Sequence, residues 1–228
     1  MTTDLQGIEL CVFDAYGTLY DFNSAVARHR QAIGAKADAL TEMWRNKQIQ
    51  YTWLRNSMAA YAKFWQVTGE ALDHCLAAHG IASADVREKL LSAYLALDPF
   101  PEVPAMLGKL QQAGKRLAIL SNGNPEMLEP MVNASGLADQ FEAVLSVDAV
   151  QVFKPDARVY RLVEARLGVG PEKVCFLSSN CWDAHGASHF GFRTVWVNRA
   201  GAPDDGLPGK IVMEIKDLSR LPSLLGVS

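Results

Sequence analysis

Short apolar runs that alternate with helical segments are the feature that most restricts the fold of this chain. Five runs of four to six residues have the apolar content of buried strands: 8–13, 116–120, 143–146, 174–177 and 193–197. Amphipathic segments over 101–113 and 155–167 separate the later runs, and each is followed by a glycine, as is typical of a helix end. Because strands that are apolar on both faces suit a parallel sheet covered by helices, the sequence predicts a doubly wound α/β fold.

A long insertion between the first two runs has no strand pattern. Residues 23–96 are rich in Ala, Leu, Met, Trp, Arg and Gln, and this is too much chain for an ordinary connection. Within 40–60, apolar residues at helical spacing predict one buried helix face, formed by Leu40, Met43, Trp44, Tyr51, Leu54 and Met58. We therefore predict a helical-bundle cap domain over 21–97, inserted into a core domain that comprises 1–20 and 98–228.

The charge balance restricts the class of partner. The 228 residues include 22 Lys and Arg against 25 Asp and Glu, a formal net charge of −3. A balance so close to neutral argues against a dedicated surface for nucleic acid or for an anionic membrane. No run approaches the ~18 apolar residues of a membrane span, and no basic, apolar leader is present at the N-terminus, so a cytoplasmic protein is expected.

Cysteine and histidine spacing gives no pattern of metal ligands. No C-x-x-C pair occurs, so reduced thiols are expected rather than disulfides or a zinc site at Cys11, Cys75, Cys175 and Cys181. His185 and His189 stand four residues apart, as zinc ligands on one helix face can, but two ligands need a third, and no H-E-x-x-H or C-x-x-C pattern accompanies them. We therefore expect packing or surface histidines and no metal site.

Polar residues follow the predicted strands where each strand ends. Each has an ordinary structural explanation on its own, as a helix cap, a turn former or a solvated lysine. Because the carboxyl ends of parallel strands meet at one edge of a sheet, however, we expect them to form one site. That site contains two carboxylates, one amine and several short polar groups: Asp14, Tyr16, Gly17, Thr18, Ser121, Asn122, Lys154, Ser178, Asn180 and Asp183.

Four segments carry a family resemblance. The sequences FDAYGTL at 13–19, LSNGN at 120–124, KPD at 154–156 and SSNCWD at 178–183 resemble the four motifs of the haloacid dehalogenase superfamily, in particular the L-2-haloacid dehalogenases. The segments 43–45 and 51–55 are similar to the cap helix of that branch, so the resemblance covers nearly the whole chain. It implies a Rossmann-like core and hydrolysis of short L-2-haloacids to D-2-hydroxy acids through an aspartyl ester, with inversion at Cα. It also implies a homodimer, a small-molecule 2-haloacid substrate, a halide product and no cofactor.

The resemblance assigns roles to individual residues. Asp14 is the nucleophile, Lys154 holds it ionised, and Asp183 with Asn180 positions the hydrolytic water. Thr18 and Ser178 orient these groups, Arg45 from the cap receives the halide, and Ser121 binds the substrate carboxylate together with main-chain N–H groups. The remaining substrate-binding positions are Ala15, Tyr16, Asn46, Ile49, Phe64, Asn122, Tyr160 and Trp182, of which Asn122 is a second halide donor and Tyr160 equally suits packing on the sheet.

Two alternatives stay open at this stage. Phosphatases of the superfamily have a second Asp two residues after the nucleophile, which protonates the alkoxide leaving group, but Tyr16 occupies that position here. Their further carboxylate for Mg²⁺ is replaced by Ser179. A phosphatase acting on a small phosphate ester is therefore the weaker hypothesis. A non-catalytic module with the same architecture is the other, since a fold does not determine a function.

Overall fold

A six-stranded parallel sheet lies at the centre of the computed structural model, which describes residues 5–227. The strands of residues 5–227 are β1 (Leu10–Phe13), β2 (Tyr20–Asp21), β3 (Asp98–Pro99), β4 (Arg116–Ser121), β5 (Ala143–Ser146), β6 (Val174–Ser178), β7 (Arg193–Val197) and β8 (Met213–Ile215). Strand order in the sheet is β5-β4-β1-β6-β7-β8, and all five neighbouring pairs are parallel. Residues 1–4 and 228 of the predicted core domain lie outside the described part.

Helices flank this sheet, which confirms the predicted α/β fold. The helices of the described residues are α1 (Asn23–Ala27), α2 (Arg30–Ile33), α3 (Ala37–Ser57), α4 (Phe64–Ala78), α5 (Ala84–Tyr94), α6 (Val103–Gln112), α7 (Pro125–Ala134), α8 (Ala157–Leu167), α9 (Cys181–Phe190) and α10 (Leu221–Leu224). Helix α8 begins after Asp156, whose side chain accepts a hydrogen bond from the Arg158 N–H, and ends at Gly168, which has a φ of 67°. Among residues 5–227, no helix is long and apolar enough to cross a membrane.

The five predicted strands are all present, and the structure adds a sixth at the sheet edge. Strand β8 pairs with β7 through only three residues, and its central Glu214 is exposed. Residues 211–215 are apolar apart from Glu214, but they are not among the five predicted strands. At the centre, β1 lies between β4 and β6 and is completely buried. Its carboxyl end therefore lies in the middle of the sheet edge.

The helical insertion, α1 to α5, leaves and rejoins the core at one place. Strands β2 and β3 pair antiparallel, with Tyr20 opposite Pro99 and Asp21 opposite Asp98, in the two linker segments that join the core to the insertion. Helix α3 packs along α4 within the insertion. Because the two linkers are joined by hydrogen bonds, the insertion is held at a fixed position beside the carboxyl ends of the strands.

The buried face of α3 differs from the predicted one. Leu40 and Trp44 are buried as predicted, and Met43 and Tyr51 are half-buried. The prediction is wrong for Leu54 and Met58, which are 47% and 65% exposed. The buried line instead continues along the helix in steps of three or four residues, through Ala37, Leu40, Trp44, Gln48 and Thr52. Two polar side chains are tolerated there because each makes hydrogen bonds, Gln48 with Thr68 and Thr52 with the Ile49 carbonyl.

Candidate active site

The Asp14 carboxylate lies at the carboxyl end of β1 and accepts hydrogen bonds from three side chains. Its Oδ1 accepts from Lys154 Nζ at 3.1 Å, while its Oδ2 accepts from Asn180 Nδ2 at 3.0 Å and from Thr18 Oγ1 at 3.2 Å. The Asp14 N–H donates to the Leu177 carbonyl at 2.9 Å, which extends the ladder between β1 and β6 by one residue. Asp14 is only 5% exposed. A carboxylate held in this way presents its oxygens in a fixed direction.

Lys154 bridges two carboxylates inside the protein. Its Nζ is 3.1 Å from Asp14 Oδ1 and 2.8 Å from Asp183 Oδ2, and all three side chains are buried. The ammonium group also lies 4.9 Å from the centre of the Phe176 ring. Burial lowers the pKa of Lys154, but the charges of Asp14 and Asp183 raise it by more, so the net change is upward from 10.5. The lysine therefore stays charged and balances the two carboxylates.

Asp183 is the second carboxylate of the site and has no exposed surface. Burial raises its pKa, the Lys154 charge lowers it and the Asp14 charge raises it, with a net upward shift from 3.8. The Tyr160 hydroxyl donates to Asp183 Oδ1 at 2.7 Å, while the Tyr160 ring packs against Phe176 and Phe190. Tyr160 therefore touches a site carboxylate and packs on the sheet at the same time.

Short polar side chains hold the turns that follow β1, β4 and β6. Thr18 Oγ1 accepts from the Ser179 N–H at 2.8 Å, and Ser178 Oγ accepts from the Asn180 N–H at 3.2 Å. Ser121 Oγ accepts from the Gly123 N–H at 3.1 Å, and Asn122 Oδ1 accepts from the Lys154 N–H at 3.0 Å. Each of these bonds fixes a loop beside Asp14, so the strand ends are rigid.

Arg45 of α3 reaches into the site from the insertion. Its Nη2 lies 3.2 Å from Asn180 Oδ1 and 3.4 Å from the Tyr16 carbonyl, and its guanidinium carbon lies 5.1 Å from the centre of the Phe22 ring. Because arginine can only donate, the oxygen of Asn180 faces Arg45 and its nitrogen faces Asp14. Arg45 Nε is buried without a hydrogen-bond partner, and no carboxylate of residues 5–227 forms an ion pair with this arginine.

Three buried polar residues position Arg45 and were not predicted from the sequence. Arg45 Nη1 donates to Gln48 Oε1 at 2.8 Å, the Tyr94 hydroxyl donates to the same oxygen at 3.1 Å, and Gln48 Nε2 donates to Thr68 Oγ1 at 2.7 Å. The only signal in the sequence is a glutamine within the apolar periodicity of α3. A polar residue on a buried face needs partners, and Gln48 finds them in the cationic side chain and the two hydroxyls.

Aromatic rings cover the side of the site that faces the insertion. The Tyr16 ring lies 5.8 Å from Phe64 and 5.3 Å from Tyr94, and all three side chains are buried. The Tyr16 hydroxyl has no hydrogen-bond partner within the described residues, and burial raises its pKa. Ala15, which follows Asp14 directly, is also buried. These rings provide an apolar wall next to the charged groups.

Three predicted pocket residues lie farther out. Asn46, Ile49 and Trp182 line an open groove of about 690 Å³ together with Trp53, whose ring packs edge-on against Trp182 at 5.4 Å. Asn46 is exposed. One residue is about 100° of rotation on a helix, so Asn46 points away from the direction that Arg45 takes. The groove marks the boundary between α3 and α9 and does not enclose Asp14.

The donor set around Asp14 does not fit a divalent cation. Hard cations such as Mg²⁺ need oxygen ligands. Here an amide N–H of Asn180 faces Asp14 Oδ2 and lies 3.5 Å from the Tyr16 carbonyl oxygen, while the Lys154 ammonium group lies between Asp14 Oδ1 and Asp183 Oδ2. Nitrogen donors therefore already satisfy the oxygens that a cation would need.

Comparisons with known proteins agree with this geometry. A family model described as haloacid dehalogenase-like hydrolase matches residues 8–191. The chain is 45% identical to (S)-2-haloacid dehalogenase 1 of Pseudomonas sp. strain CBS-3 over 219 residues, which are 96% of each protein. A dehalogenase crystal structure superposes with a TM-score of 0.94 at 44% identity, covering 96% of this chain and 98% of that one. The L-2-haloacid dehalogenase of Xanthobacter autotrophicus, solved with chloropropionic acid covalently bound, gives a TM-score of 0.89 at 37% identity, covering 96% of this chain and 98% of that one.

Proposed function

Because the chain belongs to the family of haloacid dehalogenase-like hydrolases, we propose that it hydrolyses short L-2-haloacids to D-2-hydroxy acids and halide. The resemblance predicted from its motifs is confirmed by relatives that match nearly its whole length. The observation that carries the proposal is the Asp14 carboxylate, which accepts a hydrogen bond from Lys154. Two residues further on, where a phosphatase has the acid that protonates its alkoxide leaving group, this chain has Tyr16. A halide leaves without a proton, so it needs no such acid.

The first step is an in-line displacement at carbon. An Asp14 oxygen attacks Cα of the substrate from the side opposite the halogen, the new C–O bond forms, and the halide departs with the electron pair of the C–halogen bond. Attack from the opposite side inverts Cα, which converts the L acid into the D configuration. Arg45 carries a positive charge without a carboxylate partner in the described chain, and its two contacts to Tyr16 and Asn180 are long. A halide anion beside Arg45 replaces the neutral oxygens of Tyr16 and Asn180 as hydrogen-bond acceptors. Because a hydrogen bond between two charged groups is stronger, this exchange favours halide departure.

The second step returns Asp14 to its starting state. Asp183 removes a proton from a water molecule, and the hydroxide attacks the carbonyl carbon of the Asp14 ester. The alkoxide of the product leaves and takes up a proton, while Asp14 keeps one oxygen of the water. Burial raises the pKa of Asp183 from its usual 3.8, which makes this carboxylate a stronger base than an ordinary aspartate. Ser121 and the main-chain amides after Asp14 bind the substrate carboxylate, and Tyr16 with Phe64 contacts its apolar part.

Chloride release from L-2-chloropropionate in the presence of EDTA tests this function. We expect turnover by the unmodified protein and almost none by Asp14→Asn, with unchanged circular dichroism. Cleavage of p-nitrophenyl phosphate that depends on Mg²⁺, with no chloride released, would instead establish the phosphatase. Turnover of neither substrate would leave a non-catalytic module. A single turnover in H₂¹⁸O followed by mass spectrometry should find one heavy oxygen in the Asp14 carboxylate.

The organisation of the enzyme is also part of the proposal. We propose that 21–97 acts as a cap domain over a core of 1–20 and 98–228, and that the enzyme is a cytoplasmic homodimer. Exposed Leu54 and Met58 on α3 support an apolar contact between copies, which sedimentation equilibrium measures. Cys11 and Cys175 lie opposite each other on β1 and β6 and are both free thiols, which supports a reducing compartment.

A further inference from the structure

Three potential metal ligands meet beside α9, apart from the groups that surround Asp14. They are the Cys181 thiol, the His185 imidazole and the Asp204 carboxylate, and their ligand atoms all lie within 4.8 Å of one another. The proposed dehalogenation uses none of them. We propose that this cluster binds a divalent zinc-type cation, with solvent water completing the coordination.

The fold brings these three residues together from two segments. Cys181 and His185 stand one turn apart at the start of α9, so their side chains share a helix face. Asp204 comes from the segment after β7, and its Oδ1 lies 2.7 Å from His185 Nε2. From the sequence we considered only His185 with His189, although Cys181 stands four residues before His185. Asp204 lies in a loop, and a loop residue that meets a helix side chain leaves no spacing pattern.

Backbone contacts hold the Asp204 segment against α9. The Asp205 N–H donates to Cys181 Sγ at 3.4 Å, and the Gly206 N–H donates to Asp204 Oδ1 at 2.7 Å. Farther along, Gly209 packs so closely on the helix that a Cβ there would lie 2.6 Å from the His185 carbonyl oxygen. Contacts of Asp205, Gly206 and Gly209 therefore hold the segment that carries Asp204 against α9, and the position of Asp204 beside His185 is fixed by the backbone.

The burial of the three groups suits a site that is open on one side. His185 is 5% exposed, and its Nδ1 is buried without a hydrogen-bond partner among residues 5–227. The protein alone thus leaves one polar atom of this ring unsatisfied. Cys181 is half-buried and Asp204 is exposed, so a cation can reach them from solvent. A cavity of about 540 Å³, lined by His185, His189, Trp182, Leu207 and Pro208 among others, adjoins the site and has room for the water ligands.

The ligand types select the metal. Thiolate and imidazole suit zinc, while Mg²⁺ and Ca²⁺ prefer sites built only of oxygen. Zinc bonds to sulfur and nitrogen are about 2.3 Å and 2.0–2.1 Å, which in a tetrahedral site puts the ligand atoms about 3.3–3.6 Å apart. His185 Nε2 and Asp204 Oδ1 are 2.7 Å apart and must therefore separate slightly on binding. The exposed Asp204 carboxylate can adjust in this way.

Cobalt(II) is the probe that tests this proposal, because a thiolate bound to it gives a charge-transfer absorption band that is independent of enzymatic activity. The full-length protein, reduced and freed of metal, is titrated with Co²⁺ and then with Zn²⁺. We expect the band to appear, to saturate at one Co²⁺ per chain and to disappear when Zn²⁺ replaces the cobalt. Cys181→Ser should lose the band, and Asp204→Asn should bind Co²⁺ at least about tenfold more weakly.

His189→Gln is the matched control, since His189 lies one turn beyond His185 on the same helix and is exposed. It should keep the band and the affinity. No charge-transfer band in the unmodified protein would overturn the proposal, as would a band that persists in Cys181→Ser. If that variant does not fold, Asp204→Asn decides, because an exposed side chain is not needed for folding, and unchanged Co²⁺ affinity in it refutes the site. None of these readouts depends on dehalogenation.

Discussion

Arg45 of the helical insertion contacts Asn180 of the sheet edge directly, with 3.2 Å between Nη2 and Oδ1. Asn180 in turn donates to Asp14 at 3.0 Å. A cation of the insertion and the nucleophile of the core are therefore linked through a single amide side chain. In the proposed mechanism this contact lies beside the departing anion, and the guanidinium group of Arg45 donates to Gln48, Tyr16 and Asn180 at once.

Replacing Arg45 with lysine should lower kcat by about 10²-fold or more, because a single ammonium group cannot reproduce several fixed donors. Chloride release from L-2-chloropropionate measures this loss. Arg55→Lys is the control, since Arg55 lies on the same helix but pairs with Glu70. Equal losses in the two variants would mean that α3 needs arginines for packing and not for halide departure.

Replacing Gln48 with methionine should remove the support of Arg45. The substitution leaves Arg45 Nη1, the Tyr94 hydroxyl and Thr68 without their partner, so we expect the free energy of unfolding to fall by about 1–3 kcal/mol. Inhibition by added chloride should also weaken, because the arginine that receives the halide is no longer held. Denaturant unfolding and chloride inhibition measure the two effects separately.

Gln50→Met is the matched control for that change, because Gln50 is an exposed glutamine on the same helix. Its unfolding free energy and chloride inhibition should stay those of the unmodified protein. A Gln48 variant that is less stable but keeps normal chloride inhibition would show that Gln48 serves packing alone.

The sequence was sufficient to predict which polar side chains meet at the edge of the sheet, because the order of the strands brings them together. Asp14 and Asn180 each follow a central strand and Lys154 lies in a motif near them, and the sheet edge unites all three as predicted. The sequence did not predict correctly which side chains of α3 are buried. The apolar residues at 54 and 58 suggested a buried face, whereas burial continues through Gln48 and Thr52, whose hydrogen-bond partners lie on another part of the insertion or along the same helix.

The same limit applies to partners that only the fold supplies. Asp204 lies in a loop with no periodicity, and its contact with His185 depends on how the segment after β7 returns to α9. Strand β8 has only three residues, and its place at the sheet edge follows from its pairing with β7. Local patterns predict elements and strand ends, while loop–helix contacts follow from tertiary packing.

Replacing Lys154 with methionine should leave two buried carboxylates without a counter-charge. Removing one partner of a buried ion pair costs about 3–5 kcal/mol, so we expect both a large fall in the free energy of unfolding and loss of turnover. Denaturant titration measures the former. Lys109→Met, a substitution at an exposed lysine of α6, is the control and should be nearly neutral. A stable Lys154→Met protein with normal turnover would contradict the assigned role of this lysine.

Replacing Tyr160 with phenylalanine should shift the acid side of the pH–rate profile to higher pH. Asp183 must be ionised to accept the proton of water, and burial already raises its pKa above the usual 3.8, so kcat falls as pH drops through that raised value. The Tyr160 hydroxyl donates to Asp183 and lowers the pKa of Asp183. Without it, the pKa of Asp183 rises further, and activity is lost at a higher pH. Tyr61→Phe, which removes a hydroxyl bonded to Asp148, should leave the profile unchanged, and a shift of equal size there would show that Asp183 is not the titrating base.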